Sequence, residues 1–269
     1  MKTLNEDIRD YLCSYEVHLT EKQREIIEAA SRCRMPGIAF ELIDMFSKPE
    51  AYAGMSFDQR IERCFERQLG VMSKARFARL YRNSNLPRKV YLREIAPRPE
   101  RGITSELLLA LSEMKYLETG TNIVFTGPVG VGKSTLAQAA ATEAICHNHS
   151  VMYYRASELA MMLGAMNGAD YLKFRDKLKS IKLLVLDDWG QQMLEDDVLL
   201  KLNEIAEARY RFCSTIVTAQ VAREALGKVA TPSTVLTALT DRLFRSSDIY
   251  VNITGSSLRG TSGEIRGER

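Results

Sequence analysis

The sequence predicts an all-helical N-terminal domain over residues 1–100, then an α/β domain over 101–255 with a five-stranded parallel sheet flanked by helices, and a flexible tail over 256–269. Three observations carry that expectation. Before residue 100, apolar residues recur at helical spacing with almost no strand pattern. From residue 104, short apolar strands alternate with amphipathic segments, the mark of a parallel sheet. One of those strands runs directly into a glycine loop that opens a helix.

Taken in order, Ile38, Leu42, Met45 and Phe46 fall at i, i+4, i+7 and i+8, one face of a helix. Ser56 followed by Gln59 resembles a capping box and opens a second helix, with Phe57, Ile61, Cys64, Phe65, Leu69 and Met72 along one stripe. A third, "SKARFARLYRNS", sets Phe77, Leu80 and Tyr81 to one side and Lys74, Arg76, Arg79 and Arg82 towards the others. The proline-broken "NLPRKVYLREIAPRPERG" reads as the domain linker, near residues 95–103. Beyond it, "NIVFTG" (122–127), "SVMYYRA" (150–156), "KLLVLDD" (182–188), "STIVTAQ" (214–220) and "IYVNI" (249–253) are the five strands. Helices are expected over "KSTLAQAAATEAICH", over 157–166 and 168–180, after the acids Glu195, Asp196 and Asp197, and over about 232–246.

Composition narrows the class. With 45% hydrophobic and 26% charged residues in 269, the chain reads as an ordinary soluble globular protein with a sizeable core. No run of 18 apolar residues suggests a membrane span. "MKTLNEDIRDYL" carries early acids and no apolar h-region, so no secretory signal is expected. Cys13, Cys33, Cys64, Cys146 and Cys213 are odd in number and form no C-x-x-C pair, which predicts buried, reduced thiols in a cytoplasmic protein. Between Arg60 and Arg98, eleven Lys/Arg stand against three acids, a local net of +8 in a chain of +3. The remainder is therefore about −5: one segment is basic, and the protein is not.

Gly127-x-x-x-x-Gly132-Lys133-Ser134 is the P-loop pattern in its proper setting, after a strand and before a helix. Across Gly127, Pro128, Val129, Gly130, Val131, Gly132, Lys133, Ser134 and Thr135, glycines let backbone N–H groups surround phosphates, and the helix N-terminus adds partial positive charge. Lys133 reaches the β- and γ-phosphates of ATP, and the Ser134 hydroxyl ligates Mg²⁺. "LLVLDD" supplies the other half: Asp187 to orient water on Mg²⁺, Asp188 to polarise the attacking water. A glycine turn that binds nothing, or two solvated acids, would explain either half alone but not both. Together they point to binding and hydrolysis of a nucleoside triphosphate.

Other residues leave alternatives open. Thr218 and Gln220 end a strand where a γ-phosphate sensor would sit, although polar strand ends are common. Arg242 in "LTDRLF" is either a surface arginine paired with Asp241 or Asp248, or one that completes a neighbouring subunit's site in trans. "CHNHS" (146–150) invites a metal reading, but Asn148 there suits a left-handed helix cap. Trp189 is read as packing, and "MMLGAM" (161–166) as a helix core face.

The glycine loop, "LLVLDDWG", "STIVTAQ" and "LTDRLF" in this order make the C-terminal part similar to the DnaC/IstB branch of AAA+ ATPases, and within it more similar to the IstB-like helper ATPases encoded by insertion sequences. "MPGIAFELIDMF", "MSFDQRIERCFERQ" and "RLYRNSNLPRKVYLREI" extend the resemblance to roughly residues 28–259. It implies an AAA+ fold without a C-terminal helical lid, the phosphate and Mg²⁺ roles for Lys133 and Ser134, and the hydrolytic roles for Asp187 and Asp188. It further implies the first sensor at Thr218 or Gln220, the trans arginine at Arg242, and, through "GSSLR" (255–259), a nucleotide contact by Arg259. The partners it implies are duplex DNA, a transposase and further copies of the chain in a ring or helical filament.

Within such an assembly, Lys173, Arg175, Lys177 and Lys179 either face DNA or form a solvated face. The residues themselves argue more directly for Lys74, Arg76, Arg79, Arg82, Arg88 and Lys89, where a cationic helix with interleaved Phe77 and Tyr81 suits a phosphate backbone, largely without sequence preference. The main alternative is a DnaC-type replicative helicase loader, whose N-terminal region would grip a helicase; the basic segment favours DNA. A small-molecule P-loop kinase would act as a monomer, and the double acid and Arg242 speak against it.

Overall fold

The computed structural model describes residues 4–13, 19–221, 225–245 and 249–258. The chain divides into two compact units, Met1–Ala78 and Arg79–Arg269.

The first unit is helical: α1 (Leu4–Cys13), α2 (Glu21–Arg32), α3 (Pro36–Ser47) and the start of α4 (Phe57–Asn83). The first two helices have no counterpart in the sequence reading, although Thr20 and Gln23 build a reciprocal capping box at the start of α2. The box expected at Ser56 and Gln59 is present. Ile8, Ile27, Ala39 and Ile43 form the small core, so α3 is buried more deeply along Gly37, Ala39, Glu41 and Ile43 than along the expected face, whose members are half-buried. The backbones of α3 and α4 approach so closely that a Cβ on Gly37 would lie 2.4 Å from the Gln68 Cα. The Gln68 side chain accepts the Gly37 N–H there at 2.8 Å. Beside that contact, the buried Glu41 carboxylate accepts from Arg63 and Arg67, each at 2.9 Å, and from Tyr52 at 3.0 Å.

Three expectations change in this region. The second and third predicted helices are one 27-residue helix, α4. Gly70 and Ser73 lower helix propensity by only about 1 kcal/mol or less each, too little to end a helix that packing holds in place. The apolar stripe of α4 is not core: Phe57, Phe65 and Leu69 are 75%, 54% and 64% exposed, Ile61 and Met72 are also exposed, and only Cys64 of the six is buried. The helix turns the adjoining face, with Cys64, Gln68 and the Arg63/Arg67 ion pairs, towards α3. The third change concerns cysteine burial: Cys13, Cys33 and Cys146 are exposed and Cys213 intermediate, leaving Cys64 as the buried thiol.

The unit boundary falls at Ala78/Arg79, inside α4, and the proline-rich stretch belongs to the second unit. Leu86 and Leu92 are buried, the Ser84 carbonyl accepts the Tyr153 N–H at 2.8 Å, and an Arg98–Ile103 bridge closes the last turn. The prolines shape packed turns rather than a tether.

The second unit continues with α5 (Ser105–Glu113) and α6 (Lys115–Thr119), both absent from the sequence reading. Then come β1 (Ile123–Thr126), α7 (Lys133–Cys146), β2 (Val151–Arg155), α8 (Ala156–Ala165), α9 (Gly168–Ser180) and β3 (Leu183–Trp189). They are followed by α10 (Asp196–Arg209), β4 (Ser214–Ala219), α11 (Thr234–Thr240) with a π-helical turn Asp241–Arg245, and β5 (Ile249–Asn252). All five strands are parallel in the order β2-β3-β4-β1-β5. Every residue of β1 and β4 is buried, as expected for strands covered on both faces. Asn148, at φ +67, caps α7, with the His149 N–H reaching the Ala144 carbonyl at 2.9 Å. Trp189 is packed: its indole N–H donates to the Leu226 carbonyl at 2.9 Å and its ring meets Phe244 edge-on. Leu163 of "MMLGAM" is core, whereas Met161 is exposed. Among the described residues no helix is long and apolar enough to cross a membrane.

Candidate functional site

Because β1, β3 and β4 are parallel and adjacent, whatever follows their C-terminal ends gathers at one edge of the sheet. The glycine loop leaves β1 there. Gly127, at φ +139, lies so close to the chain leaving β5 that a Cβ would stand 1.9 Å from the Ile253 carbonyl oxygen. Lys133, buried at the first turn of α7, donates from Nζ to the carbonyls of Gly127 (2.8 Å) and Pro128 (2.6 Å). The first N–H groups of α7 have no acceptor within the helix and, with the helix dipole, form an anion-binding end.

The acids lie one strand beyond β4. Between Leu186 and Trp189 the pairing of β3 with β4 slips, so that Asp187 and Asp188 occupy a bulge and Asp188 adopts φ +57. Asp187 is buried, and its two oxygens are held from opposite sides. Tyr153 of β2 donates to Oδ2 at 2.5 Å, and the Thr218 hydroxyl donates to Oδ1. Thr218 also accepts the Asp188 N–H at 3.0 Å. Asp188 is half-buried, with the exposed Gln220 amide 3.4 Å from Oδ1. Burial, followed by the hydrogen bond to Asp187, pushes the Tyr153 phenol far above its ordinary range, which keeps it protonated and a donor. Ser134 and Asp187 provide oxygen donors of the kind Mg²⁺ takes alongside phosphate oxygens, and each Asp187 oxygen retains a lone pair beyond the hydrogen bond it accepts.

Thr218 and Gln220 thus divide what the sequence left undivided. The hydroxyl is committed to Asp187, and the amide faces solvent beside Asp188. Tyr153 was not expected at the site; the available signal was a tyrosine in an apolar strand, whose hydroxyl needs a partner when buried. Arg101 is a second addition. It donates to the Ser256 carbonyl at 2.6 Å, and the segment it holds continues to the Leu258 N–H on the Gly130 carbonyl at 2.8 Å, against the glycine loop. Arg259 lies outside the described residues.

Arg242 is elsewhere. Its carbonyl accepts from the side chain of Asn122, which precedes β1, so its backbone sits at the end of that strand opposite Gly127; Asn122 and Gly127 are themselves roughly 16 Å apart at about 3.3 Å per residue. Its guanidinium pairs with Glu207 and lies 3.5 Å from Asn203 Oδ1; Asp248, one partner the surface alternative offered, lies outside the described residues. A hollow of about 690 Å³ opens beside it, lined in part by Tyr210, Thr234 and Thr237. Lys74, Arg76, Arg79, Arg82, Arg88 and Lys89 are all exposed, with Lys89 over the Tyr81 ring. Phe77 and Tyr81 are half-buried. Lys173 and Lys177 are exposed on α9, whereas Arg175 pairs with Asp176.

A parallel sheet in this order, with a glycine loop at β1 and paired acids at β3, defines an AAA+ P-loop protein that binds nucleotide. A family profile described as "IstB-like ATP binding protein" matches residues 29–263. The chain belongs to that family. It is 33% identical over 196 residues to y4pL of Sinorhizobium fredii, a candidate insertion sequence ATP-binding protein, covering 72% of this chain and 76% of that one. It is 23% identical over 252 residues to the candidate ATP-binding protein of insertion sequence IS5376 from Geobacillus stearothermophilus, covering 92% and 98%. Among solved structures, the DnaC helicase loader superposes with a TM-score of 0.52 at 21% identity, covering 61% of this chain and 97% of that one, a likeness of fold.

Proposed function

We propose that this chain is an ATP-hydrolysing switch that assembles on duplex DNA in its ATP state, helps a transposase engage that DNA, and is released on hydrolysis. The observation that carries the reading is the separation of Arg242 from the acids. Lys133, Asp187 and Asp188 gather at the C-terminal strand ends, while Arg242 is bonded to the start of β1. An arginine so placed cannot reach its own chain's γ-phosphate and suits the nucleotide of a neighbouring copy, stabilising transition-state charge in trans.

In that cycle the glycine loop and the first turn of α7 bind the phosphates. Mg²⁺, when bound, would be held by Ser134 and Asp187 and neutralises phosphate charge. Asp188 accepts a proton from the water attacking the γ-phosphorus, with Gln220 beside it to orient that water. Thr218 acts through Asp187. The exposed cations Lys74, Arg76, Arg79, Arg82, Arg88 and Lys89, with Lys173 and Lys177 of α9, support contact with the phosphate backbone irrespective of sequence. The occurrence of relatives named for insertion sequences supports a transposase as the partner.

Sedimentation with duplex DNA, with and without a slowly hydrolysed ATP analogue, tests the reading. Large species that need both DNA and nucleotide are expected. A chain that ignores duplex DNA but binds a replicative helicase would be a loader instead.

A further inference from the structure

The sheet ends in a contact that the ATPase reading does not require. Tyr153 lies on β2, separated from β1 and its glycine loop by β3 and β4, in the apolar run Val151–Tyr154. Its backbone is fixed by the hydrogen bond from its N–H to the Ser84 carbonyl at 2.8 Å, and its side chain is buried. From there the phenol spans to Asp187, donating to Oδ2 at 2.5 Å while Thr218 donates to Oδ1. The neighbouring Tyr154 lies as deep in the same strand, but its hydroxyl meets the Met152 sulfur at 3.8 Å and the Asn85 side chain, not a carboxylate.

We propose that Tyr153 is a positioning residue that sets the affinity of the nucleotide site for its divalent cation, acting through the Asp187 carboxylate. The inference rests on the assignment of Asp187 to Mg²⁺ made above. Two donors on opposite oxygens fix the carboxylate plane, so the lone pair left on each oxygen points in one direction. A carboxylate held by Thr218 alone can turn about its χ2 and presents those lone pairs less consistently. Outer partners of this kind, when lost, typically cost 10- to 100-fold in metal affinity. Because the phenol reaches Asp187 and not the loop, its removal acts on the cation and leaves the direct grip of Lys133 and the α7 amides on phosphate unchanged.

The test compares the wild type, Tyr153→Phe and Tyr154→Phe in binding a fluorescent ATP analogue, first in EDTA and then across a Mg²⁺ titration. The expected result for Tyr153→Phe is wild-type affinity in EDTA with the Mg²⁺ half-saturation point raised about tenfold, and no change in either for Tyr154→Phe. An unchanged Mg²⁺ midpoint in Tyr153→Phe overturns the proposal. So does loss of metal-free and metal-dependent binding together, which would make the phenol a general structural support. Wild-type binding that ignores Mg²⁺ altogether would instead remove Asp187 from the cation site, and the proposal with it.

Discussion

The Asn122 side chain ties Arg242 to the start of the central strand: its amide donates to the Arg242 carbonyl at 2.8 Å while its oxygen accepts the Thr215 N–H at 2.8 Å. The arginine's backbone is thereby fixed to the sheet, and its guanidinium rests on Glu207 of α10. Arg242→Ala should leave ATP affinity unchanged and lower turnover by about 10³-fold. Mixing it with an Asp188→Asn chain that retains Arg242 should restore part of the activity. A mixture no faster than its components would refute service in trans.

Lys133→Ala removes the cation from the phosphate cradle, and nucleotide binding should fall below detection by calorimetry. Retained affinity would detach the loop from the nucleotide.

Asp188→Asn keeps the shape of the bulge and removes the base. Nucleotide should still bind, hydrolysis should slow by about 10²- to 10⁴-fold, and DNA-bound assemblies should persist in ATP. Single-turnover kinetics with sedimentation would read both effects.

Four exposed cations, Arg79, Arg82, Arg88 and Lys89, lie in the second unit. Replacing all four with Gln should reduce the slope of log affinity for duplex DNA against log salt by about 3.6 if each contacts one phosphate. An unchanged slope would move the DNA to another surface.

Glu41 makes the helical unit acid-sensitive. Burial alone would raise its pKa, but hydrogen bonds from Arg67, Arg63 and Tyr52 outweigh that and hold it below the ordinary 4.5. Its contribution is therefore complete above pH 4.5 and is lost as pH falls through the lowered folded value. Glu41→Gln should destabilise the unit by about 2 kcal/mol at neutral pH and remove that part of the acid sensitivity, as followed by circular dichroism melts of the full chain between pH 3 and 7.

Much of the nucleotide-binding unit is legible in the sequence because its strands are short apolar runs ending in chemistry: "NIVFTG" at the loop and "LLVLDD" at the acids. Asn148 is legible for the same reason, since a left-handed cap admits few residue types. What escapes is whatever depends on the neighbour. The stripe Phe57–Met72 has the periodicity of a core face, and periodicity does not say which side of a helix meets protein. The separation expected between the second and third helices is one that a helix already packed through Gln68 and Arg67 does not make. The bulge at Asp187–Asp188 arises from pairing with β4, and the Tyr153 hydroxyl finds its carboxylate only once β2 lies beside β3. Prolines near residue 97 resemble a tether until Leu86 and Leu92 are seen to be buried.

That last feature decides where the protein can be cut. Strand β2 is one of the sheet's two outer strands, and the Ser84 carbonyl covers one of its N–H groups. A fragment begun at residue 101, where composition shifts, strips that cover and unroofs Leu86 and Leu92's binding sites, leaving a bare strand edge of the kind that templates aggregation. A fragment begun near residue 79 keeps the guard in place, so the difference between a clear solution and a precipitate lies in about twenty residues that look like a linker.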